Sequence, residues 1–101
     1  MNDVWCWNFP AYKDIPSTKT KEISQLNHIA TEIIEAISAW SKWSRVEDQL
    51  MKNELRLECI VEVMDVIHSC ETFLRAVDPE TLALCQQLVV QKNTEREYYE
   101  E

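Results

Sequence analysis

Residues 23–40 read ISQLNHIATEIIEAISAW, and their apolar side chains decide the fold. Ile23, Leu26, Ala30, Ile33, Ile37 and Trp40 recur at spacings of three and four, which sets them along one face of a helix. Ser17 and Thr18 precede the run and offer side-chain oxygens for capping, so a first helix is predicted from there to about Trp43. Ser44-Arg45-Val46-Glu47 then has capping-box spacing: the Ser oxygen caps and the Glu three residues on reaches back. That box predicts a second helical block, bending near Lys52-Asn53 and continuing through Leu57, Ile60, Met64, Ile67 and Leu74 to about Ala76. Asp78-Pro79, a cap followed by a first-turn proline, opens the last helix, whose apolar row is Leu82, Cys85, Leu88 and Val89. The expected fold is all-α, an antiparallel helical bundle. Three long helices leave a four-helix layer incomplete, so oligomerisation, as a homodimer or homotetramer, is expected to complete a four-helix-type core.

Ahead of the helices, residues 1–16 form an aromatic N-terminal arm with Trp5, Trp7, Phe9, Pro10, Tyr12 and Pro16. It is expected to pack on its own bundle or on a neighbouring subunit, and residues 17–101 make a single helical domain. The chain has no glycine, which removes every glycine-rich phosphate loop and disfavours tight hairpins. Its net charge of −8 opposes binding to a nucleic-acid polymer. Cys6, Cys59, Cys70 and Cys85 include no C-x-x-C pair; Cys59 and Cys70 would stand about 16 Å apart on one helix, too far to bridge. Reduced, mostly buried thiols are expected. There is no signal-peptide pattern and no apolar run long enough to span a membrane, so a cytoplasmic protein is expected.

Two groups of carboxylates do not read as a solvated face. Ile60-Val61-Glu62-Val63-Met64-Asp65-Val66-Ile67 is apolar all round except for Glu62 and Asp65. Ile29–Ile37 is apolar apart from Thr31 and the pair Glu32 and Glu35. A helix apolar around its circumference is normally buried, and it would carry these carboxylates inside with it. An ionised buried carboxylate costs several kcal/mol unless paired or coordinated. Neither Lys nor Arg lies between Lys21 and Lys42, or between Arg56 and Arg75. An all-oxygen set of this kind suits Mg²⁺, with Mn²⁺ as a substitute. Glu58, one turn before Glu62, is a fifth ligand or an outer base, and His28, one turn before Glu32, is placed to hydrogen-bond a ligand carboxylate. The alternative is a helix seam whose carboxylates meet cations of another subunit. A di-iron site is disfavoured, because Asp65-x-x-His68 is its sole approximation.

Glu32-x-x-Glu35, 26 intervening residues and Glu62-x-x-Asp65 together resemble the metal signature of MazG-type all-α nucleoside triphosphate pyrophosphohydrolases. Lys92-Asn93-x-x-Arg96 with Tyr98-Tyr99 is similar to the K-N-x-x-R-x-Y-Y ending of small phage and bacterial members, with Glu97 where glycine is often found. The resemblance spans about residues 20–99. It implies a hydrolase that converts a nucleoside or deoxynucleoside triphosphate to monophosphate and pyrophosphate. Glu32, Glu35, Glu62 and Asp65 would bind Mg²⁺, and Glu58 with Glu62 would serve the attacking water. Lys92, Asn93 and Arg96 would bind substrate, and Trp5, Trp7, Trp40 and Trp43 are candidates for the base. The reading from a different class is a non-catalytic helical oligomeric interaction module.

Overall fold

In the computed structural model, residues 5–11 and 19–100 are described, with 19–22 as backbone alone. They form three helices and no strand: α1 (Lys19–Arg45), α2 (Gln49–Leu74) and α3 (Pro79–Glu95). The predicted start at Ser17–Thr18 lies outside the described residues. The first boundary differs from expectation. Ser44 stays inside α1, its hydroxyl donating to the Ser41 carbonyl at 2.9 Å, and Asp48 caps α2 by accepting the Met51 N–H at 3.0 Å. Both are good capping types, but Asp48 also brings a negative charge to the positive end of the helix. Helix α2 passes Lys52 and Asn53 unbroken and ends at Leu74, two residues short of Ala76. The third boundary is as the sequence predicts: Asp78 accepts from both the N–H and the hydroxyl of Thr81, and Pro79 occupies the first turn.

With three residues between them, α1 and α2 form a packed antiparallel hairpin, whereas α3 makes no comparable contact with either. A 27-residue helix is about 40 Å long, and the extents are 48 × 41 × 20 Å. The radius of gyration, 16.9 Å, exceeds the roughly 13 Å of a compact domain this size. Accordingly Cys59 and Leu82 are the buried apolar residues of the described chain. The 60–67 segment, expected inside, is open in the single chain, with Val61 59% and Met64 52% exposed. One partner helix covers one flank of α2, and an all-round apolar surface needs more neighbours. No disulfide joins the described cysteines, but Cys6 and Cys85 are exposed where burial was expected.

The arm packs on its own chain. Residues 5–11 lie on the last turns of α2, where Glu71 is 4% exposed and accepts hydrogen bonds from the Asn8 and Phe9 N–H groups. Arg75 donates to the Phe9 carbonyl at 2.6 Å and stacks on Trp7, while Phe9 stacks on His68. Past α3, Glu97 takes the left-handed conformation (φ 59°). Its N–H donates to the Thr94 carbonyl, and that of Tyr98 to the Asn93 carbonyl, the paired bonds of a Schellman ending.

Candidate metal centre

Glu32 and Glu35 leave α1 three residues apart, hence on one side, and face Glu62 of α2 across the hairpin. One carboxylate oxygen from each lies within 4.8 Å of the others. The Glu32 side chain is 14% exposed; its Oε1 is 3.1 Å from His28 Nε2, and its Oε2 is shielded from solvent with no hydrogen-bond partner. Burial pushes the Glu32 carboxyl up. The Glu35 charge adds to that, His28 opposes it, and Asp65 and Glu62 contribute further in the upward direction. Among the described residues no Lys or Arg pairs with the three carboxylates. An orphaned buried oxygen in a hard, all-oxygen set fits a divalent cation such as Mg²⁺ or Mn²⁺.

Asp65, expected as a fourth ligand, lies outside this group and is exposed. Its side chain is one methylene shorter than glutamate and leaves α2 almost a turn beyond Glu62. It acts on Glu32 through charge. Glu58 is exposed at the rim of a 440 Å³ cleft that shares Glu35 and Glu62 with the carboxylate group. Lys42 lines the same cleft. Lys42 belongs to no motif; its position two turns after Glu35 is the signal that places it on the same face.

The substrate residues predicted near the C-terminus are not brought to this cleft by their own chain. Lys92 and Asn93 are carried by α3, which stands off, and Arg96 is the residue that ends it. The Asn93 amide instead reaches the Tyr99 hydroxyl at 3.4 Å. Of the tryptophans, Trp40 belongs to an apolar groove with Ile33, Ile37, Cys59 and Val63, separate from the acidic cleft. Trp5 and Trp7 are engaged with each other, edge to face, in the arm. Glu71, anchor of that arm, belongs to no sequence motif. Comparison with family models, with curated proteins and with solved structures returns no match.

Proposed function

We propose that this chain is a Mg²⁺-dependent nucleotide pyrophosphohydrolase of the MazG type, splitting a nucleoside or deoxynucleoside triphosphate into monophosphate and pyrophosphate. The observation that carries the reading is the Glu32, Glu35 and Glu62 group, in which a shielded carboxylate oxygen has no partner. These three residues would hold the cation, with Mn²⁺ able to replace Mg²⁺, and Asp65 would add charge. When bound, the cation neutralises phosphate charge and makes a water more acidic. Glu58 and Glu62 border the cleft, where they would orient that water and accept its proton. Lys42 on the rim would take phosphate charge. His28 holds one oxygen of Glu32 in place. Lys92, Asn93 and Arg96, which α3 keeps away from the cleft of their own chain, would serve the substrate in a homodimer or homotetramer.

Among the described residues, no helix is long and apolar enough to cross a membrane. A cytoplasmic setting, where nucleoside triphosphates are made and used, goes with this proposal. The test is incubation with each common NTP and dNTP plus Mg²⁺, with products separated by ion exchange. Monophosphate and pyrophosphate formed without diphosphate, and only with metal, is the expected result. No turnover of any nucleotide with Mg²⁺ or Mn²⁺ would shift the reading to the interaction module. That second reading is favoured by the breadth of exposed apolar surface, which includes Ile34 at 66%.

A further inference from the structure

Among the described residues, helix α3 has little to pack on in its own chain beyond its first turn. From Thr81 to Gln91 it carries no charged residue, in a chain of which 28% is charged. Its first turn is seated, with Leu82 buried, but Leu84, Leu88, Val89 and Val90 are each about half exposed. A helix left in water normally carries charge on every side but one. The four residues between α2 and α3 hold this departure in place: Arg75 and Val77 donate back to carbonyls of α2, and Asp78 caps α3. Elsewhere on the hairpin, Ile33, Ile37 and Trp40 of α1 with Cys59, Val63 and Val66 of α2 line a 310 Å³ groove that has no charged side chain. The accessible surface, 8377 Å², is about 2,400 Å² more than a compact monomer of 11.9 kDa exposes. A standard stable interface buries about 800 Å² per partner, and permanent homodimers bury more.

We propose that α3 of each protomer lies in the apolar groove of a second copy, so that two chains exchange their third helices around a two-fold axis. The match is one of chemistry: an uncharged apolar helix meets an uncharged apolar groove, and no ionised group is desolvated. Reciprocity follows from symmetry, because the same two surfaces meet twice. The exchange stands without the hydrolase reading, and its test reads mass and proximity rather than turnover.

Light scattering after gel filtration is expected to give twice the chain mass for the native protein and the single-chain mass for Leu88→Glu and for Ile37→Glu. A native protein of single-chain mass overturns the exchange, as does a dimer that persists in Leu88→Glu. Either acidic variant could fail to fold, so a second measurement uses Ile37→Cys. A bismaleimide is applied to ¹⁴N- and ¹⁵N-labelled protein mixed in equal amounts in denaturant and refolded together. Cross-links of mixed isotope between position 37 and Cys85 are expected, and links of one isotope only, or none between these positions, overturn the proposal.

Discussion

Glu71 receives three of its four described hydrogen bonds from Asn8: the backbone N–H at 3.2 and 2.9 Å to the two oxygens, and the side-chain amide at 3.0 Å. The fourth comes from the Phe9 N–H at 2.9 Å. A buried carboxylate here replaces the missing secondary structure of the arm, giving its backbone N–H groups an acceptor they would otherwise find in water. Arg75, one turn on, closes the clasp through the Phe9 carbonyl.

Glu71→Ala is therefore expected to release the arm and to cost about 1–2 kcal/mol, since it removes the charged acceptor of part-buried hydrogen bonds from Asn8 and Phe9. Near-UV circular dichroism of the Trp5–Trp7 pair and urea unfolding report the two effects. Burial alone would raise the Glu71 carboxyl, but the Asn8 and Phe9 donors and Arg75 outweigh it and hold the group below its ordinary value. A lowered carboxyl stabilises the fold above its unfolded pKa of about 4.3, and that share is lost as pH falls through the folded value. Glu71→Gln should show less of this acid loss; an identical acid transition in both proteins would remove Glu71 from the account.

A left-handed residue with a Cβ costs about 1–2 kcal/mol, and Glu97 bears that cost at the end of α3. Glu97→Gly should raise stability by about 1 kcal/mol after the extra freedom of glycine in the unfolded chain is deducted. Because α3 makes little contact with the hairpin, the gain belongs to this helix, and amide exchange at Tyr98 and Glu97 is the direct readout. Faster exchange in the variant would contradict the assignment.

The helices were legible because each carries its own periodic apolar row, and Asp78-Pro79 is a boundary that local chemistry settles. The boundary at residues 44–49 was less so, since Ser44 and Asp48 are both capping residues four apart and their contest is decided by bonds that the sequence does not display. Glu32, Glu35 and Glu62 were legible as carboxylates stranded in apolar helix. Asp65 was grouped with them on its apolar setting and its spacing, and its shorter side chain, almost a turn beyond Glu62, leaves it outside the group whose oxygens approach within 4.8 Å. Glu71 was invisible: its partners are more than sixty residues away, and nothing in the sequence near it is unusual. Likewise helical periodicity marks the faces of α3 without saying which chain covers them.

The raised carboxyl of Glu32 has the opposite sign to that of Glu71. Its ionisation opposes folding, so this contribution to the metal-free fold is fully present below about pH 4.3 and is lost as pH rises through the folded value. Glu32→Gln should thus raise the melting temperature of chelator-treated protein at pH 7. Millimolar Mg²⁺ should stabilise the native protein by mass action and leave the variant nearly unmoved. Equal responses of both proteins to Mg²⁺ would take Glu32 out of the cation site.

Glu62→Gln separates chemistry from folding at the point where the hairpin halves meet. The substitution keeps the size of the side chain, and it removes one of the charges that push Glu32 up, so the metal-free fold should be equally stable or slightly more so. Turnover should fall by well over a hundredfold, because residues that merely support metal ligands already cost about 10–100-fold when lost. Asp65→Asn provides the internal comparison. Asp65 lies outside the group whose oxygens approach within 4.8 Å and acts on Glu32 through charge, so its loss should weaken Mg²⁺ binding less than the loss of Glu62. Mg²⁺-dependent activity measured for both, beside unfolding curves, checks the ranking. An Asp65 variant more damaged than the Glu62 variant would mean that α2 presents a different pair of carboxylates when metal binds.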